Sequence, residues 1–256
     1  MPISESLYIL FNNINSQDFD IINIHIDSGL YQETFIPDRT IKETKVRNNP
    51  IPFFQGVEDS SRVINCSLAF KEGFDEDKLR SVKRWLTTSY YSPLIFSESP
   101  DYIYYSLCTN TSDLLHTGNG NGYINVEFQC DSNFVYSPVY TSVLYDFSIN
   151  NLSPVIQFIN NGDVDCKPML SLQKVNDGNI AIINLSDGGK EFGLRNLLNN
   201  EDLYIDNENE EIVTSIPNTY RYDNQIGEFL NMKRGINNLQ IFGDCKLQFR
   251  YQFKNL

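Results

Sequence analysis

Two histidines, five cysteines, one glycine run and two acidic clusters are the groups in this 256-residue chain that could do chemistry. His25 could act as a general base, but it sits on the polar phase of the isoleucine-rich stretch Ile22, Ile24 and Ile26. A solvated strand histidine is the plainer reading of that position. His116 falls in an expected loop with no serine or cysteine motif beside it. No GxSxG, HExxH or Walker sequence is present. Gly118, Gly120 and Gly122 alternate with Asn119 and Asn121, which suggests a phosphate loop. Such a loop must open a helix whose N-terminus faces the phosphates. Tyr123 to Cys130 alternate as a strand instead, so the run reads as a loop leading into a strand.

Cys66, Cys108, Cys130, Cys166 and Cys245 are an odd number, widely spaced, with no CxxC. That is neither a disulfide framework nor a zinc set. Cys66 and Cys130 lie on the apolar phase of alternating strands, where a thiol acts as a small hydrophobe. Asp163 and Asp165, and the run Asp206 to Glu211, offer oxygens for calcium without the spacing or central glycine of an EF-hand. They read as acidic turns. No catalytic residue, cofactor site or metal site is expected. Tyr220 and Tyr222 are candidates for an exposed aromatic face that could bind sugar.

The elements that must carry these residues are mostly strands. Ile64, Cys66, Leu68 and Phe70 alternate with polar or small residues, as do Ile124, Val126, Phe128 and Cys130. One helix interrupts them. Asp75 is its N-cap, Glu76 and Asp77 stand in the first turn, and Lys83 and Arg84 come late. Leu79, Val82 and Leu86 form its apolar stripe, widened by Trp85, and a lone amphipathic helix must lie on a sheet. Pro37, Pro50 and Pro52 break residues 28–62, where Lys42, Lys45 and Arg47 are locally basic. The segment reads as a projecting hairpin arm or as a surface loop.

Near residue 140 the pattern changes to short strands separated by turn chemistry such as Asn161-Gly162-Asp163 and Asp187-Gly188-Gly189. Strands are expected over 143–149, 155–159, 169–172, 180–183, 203–205, 212–213, 239–242 and 247–253, while Phe192 to Leu198 could be a short helix. The expected fold class is mainly β. An N-terminal β-rich domain, 1–140, carries one α-helix packed on a sheet, and a C-terminal β-sandwich of galectin or jelly-roll type covers 141–256.

A net charge of -13 disfavours nucleic acid or anionic membrane as an adhesive partner. No signal peptide opens the chain and no run of 18 apolar residues spans a membrane, so a cytoplasmic start is expected. Frequent Asn, Ile, Tyr and Lys fit an AT-rich coding sequence, which accounts for the asparagine content without a functional appeal.

Several stretches resemble the distal tail protein family, Dit, of siphovirus-type bacteriophages and related tail-like particles. They are Asn48-Asn49-Pro50-Ile51-Pro52-Phe53-Phe54-Gln55-Gly56-Val57, then Arg84-Trp85-Leu86 with Tyr91-Ser92-Pro93-Leu94-Ile95-Phe96 and Tyr102 to Tyr105. Gly122-Tyr123-Ile124 follows, running to Ser132, with Tyr136-Ser137-Pro138 after it. The later half adds Ile159 to Asp163 with Pro168, Ile182-Ile183-Asn184, Ile205-Asp206 and Gly235 to Leu239. Their ordered succession over nearly the whole chain is the specific feature.

The resemblance implies a structural subunit and no enzyme. The N-terminal domain would close with copies of itself into a homohexameric ring in the virion tail tip or baseplate, assembled in the host bacterial cytoplasm. The ring would join the tail tube protein to the tail-tip hub or tail-associated lysin and dock receptor-binding protein. DNA would pass through its channel without specific binding, and nothing would insert in a membrane. Six copies would carry roughly -78, which suits such a conduit. The alternative is a baseplate accessory protein whose C-terminal sandwich binds host-surface saccharide.

Overall fold

The first element, β1 (Ile9–Phe11), buries Ile9 and Phe11 completely. A computed structural model describes residues 5–24, 36, 38–111, 114–118, 120–149 and 152–256. The chain divides into two compact units, 1–136 with Leu256 and 137–255. The division falls four residues before the 140/141 boundary read from the sequence, because Tyr140 and Thr141 pair within the second unit.

In the first unit, β1 is followed by β2 (Ile14–Asn15), β3 (Ile21–Ile24), β4 (Arg39–Thr44), β5 (Phe53–Asp59) and β6 (Val63–Phe70). Next come α1 (Glu76–Leu86), β7 (Ser92–Phe96), β8 (Ser99–Thr111), β9 (Leu115–His116), β10 (Gly122–Cys130) and β11 (Val135–Tyr136). The main sheet runs β2-β1-β7-β8-β10-β6-β3, with β9 on β10 and β11 on β8. Asp75 caps α1 by accepting from the Lys78 amide at 2.8 Å. Val82, Trp85 and Leu86 are buried, and the Trp85 indole donates to the Phe11 carbonyl at 2.9 Å. Phe11 in turn packs on Phe128, 5.0 Å between ring centroids, so the helix is tied to both β1 and β10. Burying the indole with its N–H satisfied makes Trp85 the pin between helix and sheet.

One phase is reversed from expectation. On β3, Ile21 and Asn23 face inward while Ile22 and Ile24 are half-buried. The register with β6 places Ile21 opposite Phe70 and Asn23 opposite Leu68, on the core face. Asn23 is tolerated there because its amide donates to the Ser6 carbonyl at 2.9 Å. His25 and Ile26, on which the sequence reading also relied, lie outside the described residues.

The second unit contains β12 (Tyr140–Thr141), β13 (Tyr145–Phe147), β14 (Val155–Asn160), β15 (Met169–Lys174), β16 (Gly178–Asn184) and β17 (Lys190–Leu197). It continues with β18 (Asp202–Asp206), β19 (Glu211–Thr214), β20 (Gln225–Gly227), β21 (Gly235–Phe242), β22 (Cys245–Tyr251) and β23 (Lys254–Asn255). One sheet runs β12-β22-β15-β18-β19 with β13 also on β22, and the other runs β14-β21-β16-β17-β20. Leu170, Leu172, Ile205, Leu247 and Phe249 from the first share one core with Ile180, Ile182, Phe192, Leu194 and Ile241 from the second. This is a β-sandwich. The molecule is mainly β, and α1 is the one α-helix among the described residues.

Phe192 to Leu197 is strand rather than helix, and Leu198 follows its end. Gly178 pairs with Leu197 but Ile180 pairs with Leu194, so β17 carries one extra residue at a bulge. Asn196 takes a left-handed φ of 54° there, and its amide donates to Asn179 Oδ1 at 3.0 Å. The bulge changes the spacing of buried residues from two to three, which mimics helical periodicity.

Polar groups buried in the sandwich are matched. Glu201 and Arg221 form a two-pronged ion pair, Nε to Oε1 at 2.8 Å and Nη2 to Oε2 at 2.7 Å. Thr214 and the Leu198 amide also donate to the Glu201 carboxylate. Lys174, almost wholly enclosed, donates to the carbonyls of Val175 and Asp244 at 2.7 and 2.9 Å. Asparagines do the same for backbone. Asn237 accepts from Asn184 and from the Lys233 amide, and Asn207 bonds the Pro168 carbonyl and the Leu230 amide. Seven of the ten described non-glycine residues with positive φ are asparagines, at 12, 13, 48, 176, 196, 200 and 218. A short side chain that bonds its own backbone is what that conformation favours.

Candidate assembly surface

β4 and β5 form a two-stranded sheet of their own, with Arg39 opposite Asp59 and Thr44 opposite Phe53. Every residue of β4 is exposed, and so is every residue of β5 except Gly56. An isolated hairpin is marginal in water, because neither face buries apolar area. Here its own contacts are exposed ones: Arg39 Nε to Asp59 Oδ1 at 2.6 Å, Lys42 to Glu58 at 2.7 Å, and Gln55 to Thr44 at 2.7 Å. Exposed ion pairs contribute about 0–1 kcal/mol each.

The apolar groups face solvent. Ile51 is 73% exposed, Phe54 69%, Ile41 62% and Phe53 59%. Single exposed hydrophobes are ordinary, whereas four on one hairpin, with Val57 beside them, mark a contact surface. The turn is built by Asn48 at φ 68° and by the Asn49 side chain, which accepts from the Ile51 amide at 3.1 Å. Lys45 and Arg47 give this end a basic character in a chain of net charge -13. The arm expected over 28–62 is thus a hairpin where it is described, and residues 28–35 and 37 lie outside the described residues. Phe53 and Phe54 were legible as motif letters, while their exposure was not. Two adjacent aromatics after Pro50 and Pro52 break strand alternation, and that irregularity was the available clue.

The other candidates are dispersed. His116 is in β9 rather than a loop, its ring edge-on to Phe74 at 5.9 Å and its Nδ1 3.2 Å from the Thr117 carbonyl. Gly122 opens β10; Asn119 lies outside the described residues. Asp165 pairs with Lys233 at 2.6 Å and Asp163 with Arg234 at 3.5 Å. Asp206 accepts from the amides of Glu208 and Asn209, an acidic turn organised by its own carboxylate. Burial pushes its pKa up, but those hydrogen bonds outweigh burial and hold it below 3.8. No group of three or more metal-ligating side chains occurs among the described residues. Tyr220 is 82% exposed, and Tyr222 hydroxyl accepts from the Ile212 amide at 3.3 Å. No helix among the described residues is long and apolar enough to cross a membrane.

All five cysteines are free thiols. Burial pushes Cys66, Cys130 and Cys166 up to about 12, and Cys108 and Cys245 to about 11. The thiolate is the reactive form, so the native protein should react only slowly with Ellman's reagent near pH 8, Cys108 leading. All five should titrate at once in guanidinium. A fast native thiol would contradict this packing.

Comparison with known proteins gives a consistent set of likenesses. A family model described as a phage tail protein N-terminal domain matches residues 5–132, and one described as a phage tail C-terminal domain matches 140–251. The SPbeta prophage-derived uncharacterized protein YomH of Bacillus subtilis (strain 168) is 31% identical over 254 residues, covering 99% of this chain and 100% of that protein. The crystal structure of the Dit protein of phage SPP1, described as a paradigm of hub adsorption apparatus in phages infecting Gram-positive bacteria, aligns with a TM-score of 0.71. That alignment covers 96% of this chain and 98% of the SPP1 chain at 14% identity. A chain of the phage P2 baseplate, in its activated conformation with calcium, aligns with a TM-score of 0.56 at 8% identity, covering 96% and 97%. At these identities the two structures establish a shared fold.

Proposed function

The chain belongs to the phage tail protein family and has the distal tail protein fold, and from that premise we propose that it is a ring-forming hub subunit of a tail tip or baseplate. Six copies close head to tail through their N-terminal units. The ring links the tail tube to the tip proteins and docks receptor-binding or tail-lysin components, a structural role without turnover. It assembles in the bacterial host and ends in the virion.

The exposed β4–β5 hairpin carries this reading. A hairpin that buries neither of its faces within its own chain gains its stability from another chain. Contact between a hairpin and a different patch on the next copy is heterologous, and heterologous contacts generate rings when the rotation closes. Charge agrees: a basic hairpin end suits an acidic neighbour, and a copy of the same chain is acidic. The strongly negative total also suits a channel through which DNA slides without sticking.

Purified protein examined by native mass spectrometry and negative-stain microscopy should show particles of six 29.5 kDa chains with a central hole. A strict monomer, even with the tail tube protein added, would overturn the proposal.

A further inference from the structure

We propose that Asn121, in the turn between β9 and β10, is a site of spontaneous self-modification, its side-chain amide lost to attack by the Gly122 backbone nitrogen. That nitrogen bonds to the asparagine Cγ and closes a five-membered succinimide, while the bond from Cγ to the side-chain nitrogen breaks. Ammonia leaves, carrying the proton that the backbone nitrogen gives up. Water then opens the ring at either carbonyl. The product is aspartate or, where the main chain now runs through the former side chain, isoaspartate. No oxidant, metal or enzyme takes part, and glycine as the second residue leaves the ring unobstructed.

The sequence holds three Asn-Gly pairs, at 119–120, 121–122 and 161–162. What separates them is the glycine amide, which must be free to attack. Gly162 is buried, and its amide donates to Asn160 Oδ1 at 2.9 Å. A Cβ there would come within 2.8 Å of the Lys254 carbonyl, so the packing holds the main chain at this point. The Gly120 amide is engaged too, with the Thr117 carbonyl at 3.2 Å. Gly122 differs. The Thr117 amide donates to the Asn121 carbonyl at 2.9 Å, which makes these two the hydrogen-bonded pair at the end of the β9–β10 ladder. His116 and Gly122, one step on, form a non-hydrogen-bonded pair, so the Gly122 amide points away from β9. On the other side, β6 pairs with β10 only from Tyr123, opposite Ala69. Neither neighbour holds the Gly122 amide. Asn121 itself is exposed, and its side chain makes no hydrogen bond to any described residue.

The same geometry says what the change does. The Asn121 carbonyl accepts from both the amide and the hydroxyl of Thr117, at 2.9 and 3.3 Å. Isoaspartate inserts one main-chain carbon there and moves Gly122 out of step with His116. The fit is tight: a Cβ on Gly122 would collide with the Leu115 carbonyl and lie 2.9 Å from the His116 Cβ. A slip of one carbon therefore loosens β9, and either product adds a negative charge to the turn. The site is independent of ring closure, so either proposal can fail alone.

Peptide mapping by mass spectrometry, on the full chain kept for several days near pH 8, tests this. Asn121 should exchange amide for acid roughly tenfold faster than Asn119 or Asn161, about 1.4 kcal/mol of barrier. Fragmentation spectra separate Asn119 from Asn121, and labelling by an isoaspartate methyltransferase distinguishes isoaspartate from aspartate. In guanidinium the three rates should converge, because unfolding frees all three glycine amides. Asn121→Gln would need a six-membered ring; it should lose the fast event and melt as the parent does, while Asn161→Gln should keep the event. Conversion of Asn119 or Asn161 as fast as Asn121 in the native protein would overturn the proposal. So would an unchanged Asn121 under conditions where the unfolded chain converts.

Discussion

Replacing Glu201 by alanine should cost the protein about 3–5 kcal/mol, because it strands the buried Arg221 guanidinium without its counter-charge. Glu201 is fully enclosed, and its carboxylate takes four side-chain and backbone hydrogen bonds in all. Urea unfolding followed by circular dichroism measures the effect, and a loss under about 1 kcal/mol would show that the pair does not hold the sandwich together. A Glu201→Met, Arg221→Met double variant should recover much of the loss, since apolar residues of similar volume remove both desolvation costs together.

The pH dependence has a defined sign. Burial raises the Glu201 pKa, but the hydrogen bonds from Arg221, Thr214 and the Leu198 amide outweigh it and hold the group below its ordinary 4.5. A carboxyl depressed in the folded state stabilises fully above its unfolded pKa and loses that contribution as pH falls through the folded value. The gap between parent and Glu201→Ala should therefore be constant near neutrality and narrow only below pH 4.5.

Introducing Phe53→Asp and Phe54→Asp together should abolish ring assembly while leaving the monomer folded. Both rings face solvent in the isolated chain, so their loss removes little from its own core. At an interface, buried aromatic anchors are worth about 2 kcal/mol or more each. Two new charges at the same spot add desolvation cost, and a closed ring repeats that cost at every junction. Native mass spectrometry should then find monomers, with an unchanged melting curve. Six-fold rings persisting in the double variant would show that the hairpin is not the contact.

Much of the fold was readable because alternation and capping are local. Ile64 to Phe70 and Val126 to Cys130 declared their buried faces, and Asp75 with Trp85 declared the helix and its inner side. The failures came where tertiary register decided. Ile22 and Ile24 looked like the inner face of β3, yet pairing with β6 turned Ile21 and Asn23 inward. In β17 the bulge at Asn196 gave Phe192, Leu194 and Leu197 a spacing that no strand template predicts. The assembly surface was half legible: prolines and basic residues marked an arm, but the exposure of its aromatics, Phe53 and Phe54, is visible only in the fold.

The left-handed asparagines have a bearing on how this lineage can drift. At Asn12, Asn13, Asn48, Asn176, Asn196, Asn200 and Asn218 the backbone forbids β-branched replacements, which clash with the adjoining peptide at positive φ. Exchange to glycine or aspartate is the open route, and isoleucine or threonine, one nucleotide away from asparagine, is closed. A nucleotide bias can load a genome with asparagine codons, but purifying selection on turn geometry would keep these seven after the bias relaxed.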